Sequence, residues 1–537
     1  MGSGSASHGR RAAWWLTTVA SIVAGLFAAP FLYLLIRNLS EGGSLWSFLT
    51  TGRAIGPLLR SVVLATAVAA AAATVGTAAA WLVTRTDLPG KHLWRVLLPL
   101  PLVIPSFIGA FVLLAAFAPG GLLEAALQPL GVQRLHSVHG FWGSFIVLTL
   151  FTYPYVYLPT AARLRQLPSS LEESARLLGR APAAVFRTVV LPQCRAAILA
   201  GTLLVFLYSV SDFGVVQLMR YDTLTRVIYS TRLIDRVTSL TLSLQLGVLA
   251  LAVVAAERAV TSGARALRGP RGTRPLRVGL GRWKSAALGG MALLLALALA
   301  APVGVMAWWA TRGVLRGTAG GGASYAGLGG LAGPAVNTSF VSVAGAILAV
   351  LLVLPVAYLT VRYRSRVGDV ANAVIVGGFA LPGLAIALAL VVWTVGGPGI
   401  LGALYQSLPL LVLAYVIHFG AQSMRTAQVA LAGVPPGVED AAKTLGAGRV
   451  RRLMSVELPL MVPGLLAGGG LVLLSVMKEL PATLLLAPTG FQTLATKIWQ
   501  ATQSAFFADA SIAALVLITL SGVLTWLLVI RRGDTLV

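Results

Sequence analysis

Runs of about twenty apolar residues, the length that crosses a bilayer core as a helix, recur twelve times along this chain. They fall near 14–36, 57–83, 94–118, 140–161, 194–218, 239–257, 285–310, 335–361, 370–395, 400–423, 460–486 and 506–530. Helices are the only open-ended way to satisfy every backbone group in hydrocarbon, and runs of this length suit them. The expectation is therefore an all-α polytopic membrane protein with about 12 transmembrane helices. Composition agrees: of 537 residues 57% are hydrophobic and 11% charged, with a mean hydropathy of +0.86, where soluble proteins carry about a quarter charged residues.

The charge of +25 is interleaved with the apolar runs rather than gathered on one basic face, so nucleic acid is not the expected partner. Its placement instead sets orientation. With the N-terminus inside and sides alternating, 29 of the 41 Lys and Arg fall on inner segments and 11 on outer ones, Lys478 lying within a span. The positive-inside rule then makes both termini cytoplasmic. The run after Arg10 and Arg11 is too long for a signal-peptide core and reads as a retained first helix. The lone Cys194 allows no internal disulfide. Five histidines, 8, 92, 136, 139 and 418, show no metal-ligand spacing. His418 reads as a hydrogen-bonded interior histidine.

Two charged stretches interrupt this pattern in the same way. Glu172 to Gly179 reads EESARLLG and is followed, nine residues on, by VVLP ending at Pro192. Glu439 to Gly446 reads EDAAKTLG and is followed, again nine residues on, by VELP ending at Pro459. Glu173, Gly179, Leu191 and Pro192 align without a gap with Asp440, Gly446, Leu458 and Pro459, 267 residues apart. Ile104-Pro105 echoes Leu381-Pro382, and the segment 220–229 echoes 492–499. The chain thus reads as a parallel duplication: a first half at 1–258, a basic linker at 259–284, and a second half at 285–537, each with six spans and a charged loop (168–192 and 435–459) before its fifth. Each loop reads as a helix-turn-helix on the inner side. Ser170 and Glu173 have capping-box spacing, Gly179 and Gly446 suit a left-handed helix stop, and Pro182 suits a helix start. The Gly-rich outer stretch 317–333 lacks a phosphate-cradling pattern.

These motifs, EESARLLG(x9)VVLP and DAAKTLG(x9)VELP, resemble the EAA signature, EAAxxxG(x9)IxLP, of ATP-binding cassette importer permeases. Ser174 stands for an alanine, Asp440 for a glutamate, and Val189 and Val456 for the isoleucine. The resemblance implies that Glu172, Glu173, Ala175, Gly179, Leu191, Pro192, Glu439, Asp440, Ala442, Gly446, Leu458 and Pro459 dock two copies of a separate ATP-binding subunit. It implies no cofactor on this chain, with ATP used by those partners, and no catalysis by the chain itself. It also implies an extracytoplasmic solute-binding protein and a place in the plasma membrane of a prokaryote.

Charged residues inside spans invite a functional reading. Asp212 and the run Lys478-Glu479-Leu480-Pro481 lie late in the fifth and eleventh spans, and Asp212 matches Glu479 at the repeat offset. Asp212, Lys478, Glu479 and Pro481 are therefore candidate translocation-path residues, and Asp212 and Glu479 candidate oxygen ligands for a hard cation. Local pairing of the two acids with Arg220 or Lys478 is the alternative. The segments 211–229 and 477–499 resemble those of fused, double-length ferric-iron importer permeases, which implies ferric iron as substrate. Thiamine, polyamine or phosphonate permeases share the architecture, and an ion-coupled secondary transporter is the reading without ATPase partners.

Overall fold

The computed structural model describes residues 14–40, 51–131, 138–262, 278–315, 329–363, 365–397 and 399–525. Among these residues the chain forms helices without a strand, and its one isolated bridge joins Thr86 to Val278. Nine of the described helices are long and apolar enough to cross a bilayer: Trp14–Ser40, Gly52–Arg85, Gly140–Gln166, Phe186–Ser211, Arg236–Glu257, Gly281–Leu315, Gly330–Val361, Val450–Met477 and Phe507–Leu524. Two bent pairs fill the third and ninth places, Lys91–Val103 with Ser106–Phe117 at 90° and Arg366–Gly378 with Gly383–Gly396 at 105°. The tenth place is taken by the 25-residue helix Leu408–Ala432, whose hydropathy is lowered by His418, Gln422 and Arg425.

The two bends share a cause. Pro105 and Pro382 each stand immediately before the second segment, in extended backbone (ψ 141° and ψ 139°). A proline lacks the N–H that would continue the ladder, and it forces the residue before it out of the helical region. Ile104 accordingly sits at φ −82°, ψ 121°. The fifth and eleventh spans end earlier than their apolar runs predict. The first helix stops at Ser211 and resumes as Gly214–Leu218; the second stops at Met477 and resumes as Pro481–Leu486. The stops fall at the intramembrane charged residues themselves.

The chain divides into two compact units whose boundaries differ from the repeat halves 1–258 and 285–537. One unit gathers the described residues of Gly43–Tyr325 and Ala501–Ala514; the other gathers Met1–Gly42, Ala326–Gln500 and Leu515–Val537. The opening helix of each half is thus exchanged. The first span buries Leu16, Ala20, Val23, Phe27 and Leu34 and packs on Gly329–Val361, Arg366–Gly378 and Gly383–Gly396. The seventh span packs on Ser106–Phe117, where Trp309 Nε1 donates to the Ala115 carbonyl at 3.0 Å and Trp308 Nε1 to that of Gly120 at 3.3 Å. These indoles satisfy carbonyls at and beyond the end of that helix, which hydrocarbon would leave unpaired.

Of the basic linker, residues 263–277 lie outside the described residues, as do most of the Gly-rich stretch 317–333 and both termini. The end of the linker is docked. Val278 N–H donates to Arg85 O at 2.8 Å, and Asp87 N–H donates to Val278 O at 3.2 Å. Asp87 Oδ1 accepts from Leu280 N–H at 2.9 Å, and Oδ2 meets Lys284 Nζ at 3.2 Å.

Candidate functional site

The first charged loop folds as an elbow. Pro168 precedes the helix Ser169–Leu177, whose N-terminus has no side-chain cap. The expected capping box is absent because the helix begins at Ser169, which places Ser170 inside it and not at the cap; the acid at 172 turns inward and that at 173 stays exposed. The C-terminal stop is a Schellman turn. Arg180 N–H reaches Ala175 O at 3.2 Å, Gly179 N–H reaches Arg176 O at 2.9 Å, and Gly179 is left-handed at φ +77°. The second elbow repeats it on the helix Pro436–Thr444. Ala447 N–H reaches Ala442 O at 3.0 Å, Gly446 N–H reaches Lys443 O at 2.9 Å, and Gly446 lies at φ +78°. Ala175 and Ala442 are buried, whereas Leu178 and Leu445, matched across the repeat, stand 81% and 87% exposed at the tips. Asp440 is exposed and pairs with Lys443 at 2.7 Å. The side chain of Glu439 lies outside the described residues.

After each stop the chain climbs into the next span through one wide turn. Phe186–Val190 and Leu453–Glu457 are π-helical, with Leu191 N–H bonded to Phe186 O and Leu458 N–H to Leu453 O. Pro192 and Pro459 follow at once. A proline presses on the carbonyl four residues back, and a turn widened by one residue makes room for it. Single π turns of this sort cluster at functional sites.

Each elbow is held to the second helix of its half, which ends in AWLVTR at 80–85 and AYLTVR at 357–362. Arg85 Nη2 donates to Leu164 O at 2.7 Å and Leu167 O at 3.3 Å; Arg362 Nη2 donates to the matching Val434 O at 3.2 Å. Arg85 Nη1 also meets Glu172 Oε1 at 2.8 Å, with both side chains 3% exposed or less. Burial pushes the Glu172 carboxyl above its ordinary value, while Arg85 and Arg176 pull it down. Trp81 packs edge-on against Phe186, ring centres 5.6 Å apart. In the second elbow Tyr358 Oη donates to Glu457, whose other oxygen meets Arg452 Nε at 3.3 Å. None of Trp81, Arg85, Tyr358 and Glu457 stood out in the sequence. Arg85 counted only as a loop charge, and the signal was the shared ending of the two second helices.

The intramembrane acids sit at the bends. Asp212 Oδ2 accepts from Ser106 Oγ at 2.6 Å, and Oδ1 accepts from Val215 N–H at 2.8 Å. Glu479 Oε1 accepts from Ala482 N–H at 3.1 Å. Both are 8% exposed. Pro481 opens the short helix after Glu479, and Lys478 is the C-cap of the preceding helix Leu458–Met477, half-buried at the end of the eleventh span. No group of three or more His, Cys, Asp or Glu able to hold a metal occurs among the described residues.

Two stretches of the chain, residues 72–259 and 342–532, match the family model of the binding-protein-dependent transport system inner membrane component. The chain belongs to that family. Its two matches coincide with the two elbow-bearing halves. The Fe(3+)-transport system permease protein FbpB 2 of Haemophilus influenzae is 29% identical over 526 residues, covering 97% of this chain and 98% of that protein. Relatives of about half this length align with less than half of it. The sulfate transport system permease protein CysT of Synechocystis is 26% identical over 38% of this chain and 71% of its own length. The molybdenum transport system permease protein ModB of Mycobacterium bovis is 28% identical over 45% and 90%. The chain is therefore a multi-pass permease of an ATP-binding cassette transport system, with two permease repeats in one polypeptide.

Proposed function

We propose that this permease imports ferric iron handed to it by an extracytoplasmic binding protein. Two copies of a separate ATP-binding subunit grip the two elbows, which face the cytoplasm of a prokaryote together with both termini. The observation that carries this reading is the duplication of the elbow. The same glycine stop, exposed leucine, π turn and Leu-Pro pair recur in both halves, and a surface built twice calls for a partner present twice. Exposed Leu177, Leu178 and Leu445 supply apolar knobs of the kind a partner groove buries, while Glu173 and Asp440 stay in water beside them. ATP binding draws the two partners together, the elbows follow, and the spans above them alternate between outward- and inward-facing states. The load on that equilibrium is set by the differential affinity of substrate for the two states.

Iron is favoured by the likeness, along nearly the whole chain, to an Fe(3+) permease of the same double length, and by two buried carboxylates with oxygen donors suited to a hard cation. The relatives that carry sulfate and molybdenum in their names support an oxyanion as the second reading. Reconstituting the chain in vesicles with candidate ATP-binding and solute-binding subunits separates the two. The expected result is ATP hydrolysis stimulated by iron-loaded binding protein. Stimulation by a sulfate- or molybdate-loaded protein alone overturns the iron assignment. Uptake that persists without any ATP-binding subunit overturns the elbow assignment.

A further inference from the structure

We infer that the fifth span of each half is a rod that carries elbow movement to the bend of the third span through a carboxylate latch, and that Ser106 and Gly383 are the positioning residues that set this latch. The inference rests on the docking role proposed for the elbows.

Each rod is one continuous helix, the second with Pro463 inside its first two turns. Leu191–Ser211 starts at the Leu-Pro pair of the first elbow and ends beside Asp212; Leu458–Met477 starts at that of the second and ends two residues before Glu479. At 1.5 Å per residue each is about 30 Å long, so what its elbow does is delivered at the carboxylate. There each acid makes two kinds of contact. One is local: Asp212 caps Gly214–Leu218 through Val215 N–H, and Glu479 caps Pro481–Leu486 through Ala482 N–H. The main-chain oxygens of the same acids accept from Thr225 Oγ1 at 2.7 Å and from Thr483 Oγ1 at 2.8 Å.

The other contact reaches the bend. Ser106 is the first residue of the helix after Pro105, and its hydroxyl donates to Asp212 while accepting from Tyr208 on the rod at 3.0 Å. Gly383 is the first residue of the helix after Pro382. A Cβ placed on it would lie 2.6 Å from Glu479 Oε1. The longer acid therefore occupies the space that the serine side chain fills in the first half. Asp with Ser and Glu with Gly are two solutions to one distance: the methylene gained on the acid is matched by the side chain lost at the bend. A local helix cap explains the bonds to Val215 and Ala482, but it does not explain why acid length and bend residue change together. In both halves the charge rests at the N-terminus of the post-bend helix, where the helix dipole favours an anion.

The test exchanges the two solutions. In reconstituted complexes with both ATP-binding subunits, assembled complex is quantified, and the ratio of ATP hydrolysis with and without loaded binding protein is measured. The variants are S106G, D212E and S106G/D212E, with G383S, E479D and G383S/E479D as the mirror set. Residues in contact show strong non-additivity, so each single change should lower the stimulation ratio about tenfold at unchanged assembly, and each double should return it to within about threefold of the parent. A packing defect would reduce the amount of complex and leave the ratio of what assembles intact. Silent single variants in both sets, or doubles no better than their worse single, overturn the latch. If the unaltered complex shows no stimulated hydrolysis, the docking role falls and the latch with it, whereas latch failure in a responsive complex leaves docking standing.

Discussion

The two elbows have one shape and two anchors. Both stop on a left-handed glycine within a degree of each other, at φ +77° and +78°, and both enter the next span through a π turn and a Leu-Pro pair. Beneath them the chemistry diverges. The first is held by a buried ion pair, Arg85 to Glu172, and by Trp81 packed on Phe186. The second is held by the Tyr358 hydroxyl on Glu457, with Arg452 beside it, at a place where the first half carries Val190. Duplicated parts that keep their outline while their fastenings change indicate where the constraint lies. Under the proposed docking the outline is the part a partner would meet, whereas the fastening needs only to be stiff.

This difference can be broken at its strongest point first. Replacing Arg85 with Met leaves Glu172 charged and buried, a loss of about 3–5 kcal/mol for a broken buried pair. Amide exchange across 169–180 should rise sharply, and the double change R85M/E172L should recover much of the protection, since apolar replacement of such a pair is often neutral. If R85M protects as well as the parent, the ion pair is not the fastening of the first elbow. Tyr358→Phe should cost the second elbow less, about 1.5–3 kcal/mol for a hydrogen bond to a charged group, because Arg452 remains beside Glu457. Exchange across 436–447 reports it, and a loss larger than that of R85M reverses the ranking of the two anchors.

A third change should not distinguish the elbows at all. Nothing stands within 4 Å of a Cβ at Gly179 or Gly446, so valine there meets only the backbone cost of a left-handed conformation, about 1–2 kcal/mol. Gly179→Val and Gly446→Val should therefore lower the stability of their elbows equally and depress transport together while insertion proceeds. A clear inequality between them would mean that outline and anchor are coupled.

Much of this was legible in the sequence, and the part that was not has a physical reason. The glycine stops were readable because the left-handed region excludes most side chains, and the twelve runs because bilayer thickness sets a length. The prolines at 105 and 382 were visible as an echo, but the size of a bend depends on what packs against it. The capping box failed at Ser170 because the helix starts one residue earlier, at Ser169 after Pro168, which puts Ser170 inside the helix instead of at its cap. The exchange of the opening helices left no trace, since an apolar face does not name its partner. Asp212 and Glu479 announced themselves as charges in grease, but Ser106 and Gly383, residues of no apparent distinction, give them their places.

The smallest expected effect concerns a fastening found on the first half. Asp87, two residues beyond Arg85, holds the end of the linker through Leu280 N–H and Lys284, while the matching position of the second half carries Arg364, which has no acceptor to offer. The Leu280 N–H, then Lys284, hold the Asp87 carboxyl below its ordinary value. A depressed carboxylate contributes stability that is present above its unfolded pKa, near 3.9, and is lost as pH falls through the lower folded value. The clasp should therefore be fully closed at neutral pH and open only in strong acid. Asp87→Ala should raise amide exchange at 278–284 near neutrality, without touching the second elbow, and the difference from the parent should shrink to nothing well below pH 4, about where both forms have lost the charge. A difference that persists in acid would assign the docking of the linker to the Thr86–Val278 bridge instead of to the aspartate.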